Sequence, residues 1–347
     1  MNYKRLSITD INTNEEMILR YEGRSEEVVI IGADTFIGSH LAKAMAASGH
    51  KVIGYGAREA VASMQNKAAA TSATSMQDEA SALPVAITYK PTDYLHYNLP
   101  PECNLVFFCH DVAENRDLHV KALSALCEHL ASIHSVDRQV HLVYFSSTNI
   151  CNANGRRIRE DSEISPHCLR DAAIVQAEML LKTWCSLSGN AIAPHVFRYG
   201  ELYGETDAFP TQAGHVNECL ALARQGKTLV FYGNLNQART LTHVDDFAEA
   251  VAAVLQEDFT PSRINIPGEK VTVADFLEKI AEHYGVEWEP TTQRPPVLNE
   301  NIPFLASDRL LNAAVFKSIV PDFKPKYKFA NWLHRQPIGA KSLKLKA

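Results

Sequence analysis

The 347-residue sequence contains no run of about 18 apolar residues, so nothing in it reads as a membrane-spanning helix. Its polar opening, residues 1–20, has neither an apolar signal core nor a small-residue cleavage site, and a cytoplasmic location is the expectation. Cys-x-x-Cys pairs are missing as well. The seven cysteines (Cys103, Cys109, Cys127, Cys151, Cys168, Cys185 and Cys219) are odd in number and scattered, which argues against a disulfide framework or structural zinc and leaves free thiols as the reading. Cys127-Glu128-His129 lies in a helical stretch without metal-ligand spacing, so no metal is expected. Basic charge is also in short supply: 34 Lys+Arg stand against 40 Asp+Glu, a formal net charge of -6, which speaks against nucleic acid or an anionic membrane as the partner.

What is present is an ordinary globular composition, 46% hydrophobic and 21% charged, in a chain long enough for a large domain with a smaller lobe. Residues 1–27 are polar, carry both charge signs and read as an extension. From Val28 onward short apolar runs alternate with helical stretches: a strand at 28–31, a helix at 39–48, a strand at 52–55. An Ala/Ser/Thr/Met/Gln-rich stretch, 60–82, interrupts this rhythm and reads as a helix plus surface loop. The rhythm resumes with strands at 85–89, 105–108, 140–145 and 193–197 and helices at 118–133 and 172–186. After Gly204 the composition shifts toward Gly, Pro and Asn, with strands expected at 229–232 and 263–266 and helices at 245–255, 273–284 and 307–316. The implied architecture is α/β: a doubly wound parallel sheet with a smaller C-terminal α/β lobe. The divisions expected are an extension at 1–27, a sheet domain mainly at 28–204, and a lobe mainly at 205–347 with elements returning to the first domain.

The segment Val28-Val29-Ile30-Ile31-Gly32-Ala33-Asp34-Thr35-Phe36-Ile37-Gly38-Ser39-His40-Leu41 places a strand, a tight turn and a helix start in immediate succession. That is the context of a Rossmann dinucleotide fingerprint, with Gly32 for the sharp turn, Gly38 for close helix–strand approach and a helix N-terminus for the pyrophosphate. With Phe36 to Leu41 intact, the chain resembles the extended short-chain dehydrogenase/reductase family that acts on nucleotide-linked sugars. The resemblance implies cofactor contacts from Gly32, Thr35, Phe36, Ile37 and Gly38, although the middle glycine of the family pattern is Thr35, whose side chain is expected where backbone normally approaches the phosphates. At the end of the second strand, where relatives that use NAD carry an acid, this sequence has Gly56-Ala57-Arg58. An arginine beside a missing acid favours a 2′-phosphate, so the lean is to NADP over NAD. His110 and Asp111 stand where relatives keep small residues, and they either line the cofactor groove or obstruct it.

The same resemblance implies a Tyr-x-x-x-Lys proton-transfer pair, in which lysine lowers the tyrosine pKa. Here Phe145-Ser146-Ser147-Thr148 is kept, but the tyrosine position falls on Arg170 and the lysine position on Ile174. None of the twelve tyrosines has lysine four residues later. The Asp-Glu pair of dehydratases is replaced by Thr148-Asn149. Candidate substitutes are Ser147, Thr148 and Asp171, with Cys151, His167, Cys168, Arg170, His110 and Asp111 in the same expected neighbourhood.

In the second half, Arg198-Tyr199-Gly200-Glu201-Leu202-Tyr203-Gly204 and Arg239-Thr240-Leu241-Thr242-His243-Val244-Asp245-Asp246 resemble family blocks that handle the nucleotide sugar. They imply Arg239, a planar and permanently charged fork, on the diphosphate, with Tyr203 as a further substrate residue. Asp245 and Asp246 read as helix caps. The resemblance covers about residues 28–332. Two readings follow: a divergent NAD(P)-binding epimerase- or reductase-like enzyme with altered proton-transfer residues, or a non-catalytic pseudoenzyme that keeps the fold and acts through a partner. A pocket recruited for cofactor-independent chemistry is a third, without positive support. A homodimer built on the helices at 118–133 and 172–186 is expected.

Overall fold

The computed structural model describes residues 5–9, 16–20, 27–57, 60, 87–112, 115–153, 155–205, 214–257, 262–291 and 308–337. The chain divides into two compact units, one of Met1–Phe145, Gln176–Phe197 and Val251–Arg263, the other of Ser146–Val175, Arg198–Ala250 and Ile264–Ala347. Among the described residues no helix is long and apolar enough to cross a membrane.

Strands β3 (Glu27–Ile31), β4 (Lys51–Gly56), β5 (Ile87–Pro91), β6 (Leu105–Phe108), β7 (Val140–Ser147), β8 (Ile192–Tyr199) and β12 (Arg263–Asn265) form a seven-stranded sheet in the order β12-β8-β7-β6-β3-β4-β5. Pairing is parallel from β5 through β4, β3 and β6 to β7. Such strands need both faces covered, and β6 and β7 are buried along their whole length, as continuous apolar runs demand. The connecting helices are α1 (Phe36–Ala47), α2 (Arg116–Ile133) and α3 (Leu169–Leu187). Chain order reverses beside β3: β4 and β5 build outward on one side, β6 and β7 on the other. Open α/β sheets bind ligands outside the carboxyl ends of their strands at such a switch point.

The residues at 5–9 and 16–20, read from sequence only as part of a polar extension, pair as an antiparallel hairpin, β1 (Arg5–Thr9) with β2 (Glu16–Arg20). The stretch read as helix and loop at 60–82 lies, beyond Ala60, outside the described residues.

In the second unit, β9 (Glu201–Tyr203), β11 (Ala238–His243) and β13 (Glu269–Thr272) form a three-stranded sheet, and β10 (Leu229–Tyr232) pairs in parallel with β14 (Trp288–Thr291). Helices α4 (Gly214–Arg224), α6 (Val273–Tyr284) and α8 (Phe329–His334) contribute to an apolar core that includes Val216, Leu220, Phe276, Leu277, Phe329 and Trp332. Helix α6 begins at a reciprocal Thr272–Asp275 capping box and ends at Gly285 in the left-handed region, which is why its sequence limits were legible to the residue.

The expected helix at 307–316 is a correction. The helix there, α7, spans Ala314–Ile319, and residues 308–313 are not helical. Their amides and carbonyls are taken by neighbouring strands: Arg309 N–H donates to Ala238 O at 2.7 Å, Thr240 N–H to Arg309 O at 3.1 Å, and Ile158 N–H to Leu310 O at 2.7 Å. Tertiary pairing has overridden local helix preference.

Candidate functional site

The turn between β3 and α1 lies at the switch point of the first unit. Gly32 has φ +82, and a Cβ on it would sit 2.8 Å from the Cys109 and His110 backbone. A Cβ on Gly38 would fall 2.0 Å from Gly32 O, so the helix start lies directly against the turn. Both glycines therefore do the geometric work expected of them. Helix α1 has no acidic residue in its first turn. The N–H groups of Phe36 and Ile37, at the first helical positions, have no intrahelical acceptor and carry the positive end of the helix dipole.

Thr35 is buried and its hydroxyl is engaged with backbone: it lies 2.8 Å from Gly32 O and 3.0 Å from Cys109 O, and it accepts from Gly38 N–H at 3.1 Å. A hydroxyl that caps the helix and ties β3 to β6 replaces the missing glycine without filling the outer face of the turn.

At the end of β4, Gly56 leaves room that Asp34 occupies. The Asp34 carboxylate accepts from Ala57 N–H at 2.9 Å through Oδ2 and from the Tyr94 hydroxyl at 3.0 Å through Oδ1. Tyr94 is buried, has φ +64, and meets the His110 ring edge-on with centroids 4.7 Å apart. Burial pushes the His110 pKa down to about 4, so its imidazole is neutral at pH 7, and its Nδ1 is enclosed without a hydrogen-bond partner. Arg58 lies outside the described residues. Asp34 and Tyr94 were missed in the sequence; the available signal was an acid inside a glycine turn whose partner strand ends in glycine.

In the second unit, the candidates for proton transfer are each held by backbone. Ser147 Oγ accepts from Asn149 N–H at 3.1 Å, Thr148 donates to Tyr199 O at 3.1 Å, and Asp171 Oδ2 accepts from His167 N–H at 3.2 Å. All three are buried. Ile174, where the sequence resemblance puts the lysine, is apolar and 4% exposed. Cys168 Sγ accepts from Asp171 N–H, and burial raises its pKa, so it is held as the thiol.

Arg239 forms a buried ion pair with Glu201, and Gln237 Oε1 accepts from its Nη2 at 3.0 Å and its Nε at 3.3 Å. The Glu201 pKa is lowered: burial opposes ionisation, but Arg239, His215 and Arg170 outweigh it. Arg309, a residue the sequence reading passed over, feels Asp171 and Arg239. Arg239 pairs directly with Glu201; Arg170 acts on Glu201, and Asp171 on Arg309, through the electrostatic field of the same region. Tyr203, in contrast, sits in the apolar core, its ring edge-on to Phe329 and Trp332 at 5.1 and 5.3 Å. Asp246 does not cap its own helix, α5 (Val244–Gln256); its carboxylate accepts from Lys326 N–H at 2.8 Å and Tyr327 N–H at 3.0 Å.

The family model described as "NAD dependent epimerase/dehydratase family" matches residues 28–267. Among curated proteins, "Putative GDP-L-fucose synthase 2" of Oryza sativa subsp. japonica is 34% identical over 94 residues, 25% of this chain and 27% of the rice protein. This stretch therefore spans about a quarter of that relative. Among solved structures, dTDP-glucose 4,6-dehydratase from Bacillus anthracis in complex with NAD is similar at TM-score 0.66 and 19% identity, over 89% of this chain and 94% of that one. UDP-glucuronic acid 4-epimerase from Bacillus cereus in complex with UDP-glucuronic acid and NAD is similar at TM-score 0.66 and 15% identity, over 92% and 100%. At these identities the likeness is one of fold.

Proposed function

Since the chain belongs to the NAD-dependent epimerase/dehydratase family, we propose that it binds a nicotinamide dinucleotide at the turn between β3 and α1 and a nucleotide-linked sugar in its second unit, as a divergent epimerase- or reductase-like protein. The observation that carries this reading is the turn itself, in which Gly38 packs so closely on Gly32 that any side chain at Gly38 would overlap backbone. The residues fit the group. Gly32 and Gly38 shape the turn, Thr35 fixes it from within, and the Phe36 and Ile37 amides, without intrahelical acceptors, are available at the helix start for a pyrophosphate, with His110 alongside. When bound, a nicotinamide supplies reversible hydride transfer at a sugar carbon.

For the sugar nucleotide the support is Arg239 and its neighbours. Three guanidinium groups that share a field with two carboxylates leave an excess positive charge suited to an anion such as a diphosphate, and the two structural relatives above were solved with NAD, one also with a sugar nucleotide. Proton transfer falls to groups other than the tyrosine and lysine, whose positions are Arg170 and Ile174. A second reading, a pseudoenzyme that binds without turnover, is favoured by a specific observation: Ser147, Thr148 and Asp171 are all engaged by backbone. A homodimer through α3 fits the 66% exposure of Met179 on that helix.

The test is calorimetric titration with NADH, NADPH and UDP-, GDP- and dTDP-linked sugars, after assay for cofactor that copurifies. Binding of both classes, with Arg239→Ala losing only the sugar nucleotide, supports the proposal. Absence of dinucleotide binding overturns it, and binding of both without turnover selects the second reading.

A further inference from the structure

We infer that Asp34 is the residue that reads the adenosine ribose, supplied from the phosphate-binding turn in place of an acid at the end of β4, and that it makes the site select NAD over NADP. The inference rests on the dinucleotide reading above and adds to it the residue that sets cofactor choice. It reverses the lean to NADP drawn from Gly56 and Arg58.

The geometry is specific. A Cβ built on Gly56 would lie 2.7 Å from both Cγ and Oδ1 of Asp34, so the carboxylate fills the space that a side chain on the strand end would take. Glycine at 56 and aspartate at 34 are therefore a linked pair. The charge lies beside the end of β4, next to the switch point of the sheet, with its strand neighbour exchanged.

Two neutral donors fix it there, the Ala57 amide and the Tyr94 phenol. Tyr94 is itself fixed: Thr92 Oγ1 accepts from its amide at 3.0 Å, and its ring is wedged against His110. A bulky residue with φ +64 persists only where its surroundings over-determine it. A carboxylate offers about four lone-pair directions, and two donors leave acceptor capacity for ribose hydroxyls. A 2′-phosphate brought to the same place would meet a held carboxylate, and among the described residues the groups bonded to Asp34, the Ala57 amide and the Tyr94 phenol, are neutral.

The experiment is calorimetric titration of the full chain with NADH and with NADPH, for the wild type, Asp34→Asn and Tyr94→Phe, each checked for folding by circular dichroism. Wild type is expected to bind NADH at least about tenfold more tightly than NADPH, because a charge-assisted bond is gained in one case and like charges meet in the other. Asp34→Asn keeps the shape, removes the charge and is expected to erase most of that preference. Tyr94→Phe keeps the charge but frees it to move, and is expected to narrow the preference by about threefold. Equal binding of both cofactors by wild type, or equal weakening of both by Asp34→Asn, overturns the assignment while leaving the dinucleotide reading intact. If wild type and both folded variants bind neither cofactor, the dinucleotide reading fails and this inference falls with it. Should Asp34→Asn not fold, the wild-type ratio and Tyr94→Phe still decide.

Discussion

The turn at 32–38 and the segment at 147–174 use their polar side chains in different ways. In the turn, the Thr35 hydroxyl bonds inward to backbone at Gly32 and Cys109 and caps α1. In the segment, where the sequence resemblance puts the tyrosine and lysine positions on Arg170 and Ile174, the polar groups Ser147, Thr148 and Asp171 are held in hydrogen bonds with backbone. Binding by a glycine turn relies on main-chain geometry, which several side-chain solutions can support. Proton transfer relies on titratable side chains, which main-chain geometry alone does not supply.

The contrast breaks most sharply at Gly38. Gly38→Val would force Cβ onto Gly32 O, a backbone atom that cannot swing aside. The expected cost is about 3 kcal/mol or more, with dinucleotide binding abolished, measured by urea unfolding and calorimetry. Retained binding would mean that the turn is not the grip. In the other region, Ile174→Lys tests whether the lysine site has been closed by packing. Placing an ammonium where the side chain is 4% exposed is expected to destabilise by about 3 kcal/mol and to restore no turnover, even combined with Arg170→Tyr. A stable, newly active double variant would show that the region had kept its catalytic geometry.

The elements most legible in the sequence were those whose pattern is local. Strand β6, strand β10 and helix α6 fall on the expected residues, because a bounded apolar run or a capped helical stripe contains its own limits. The backbone before Ala314 was not legible, since its form depends on pairing with distant chain. The site divides in the same way. Gly32 and Gly38 announce a turn by themselves. Asp34 becomes informative only when folding sets it over Gly56, and Arg239 reads as an open anion hook until Glu201 is seen beside it. Arg309 entered by a bridge to Arg239 that no spacing foretells.

Acid should probe the first unit in particular. Burial lowers the pKa of His110 and of His141 from 6.5 to about 4. Above about pH 6.5 neither folded nor unfolded chain protonates them, and they leave stability unchanged. As pH falls from about 6.5 to about 4, the unfolded chain takes up protons that the folded chain refuses, so stability declines, and the contribution levels off below about 4. Each histidine accounts for a loss of up to about 3 kcal/mol. Urea midpoints between pH 7 and 4 should fall accordingly, and His110→Phe should flatten part of the slope. An unchanged slope would mean that the buried imidazole already accommodates the proton.

The smallest effect expected is also the one that separates the two regions most cleanly. Thr35→Gly restores the glycine of the family pattern. Because the hydroxyl faces inward, dinucleotide affinity should stay within about threefold of wild type, while stability drops by about 1 kcal/mol through the lost cap and the lost bond to Cys109 O. Calorimetry and urea unfolding on the same preparation read both quantities. A gain in affinity beyond about tenfold would show that Thr35 had been holding the cofactor off, and the turn would then join the segment at 147–174 as a place where the site has been altered rather than kept.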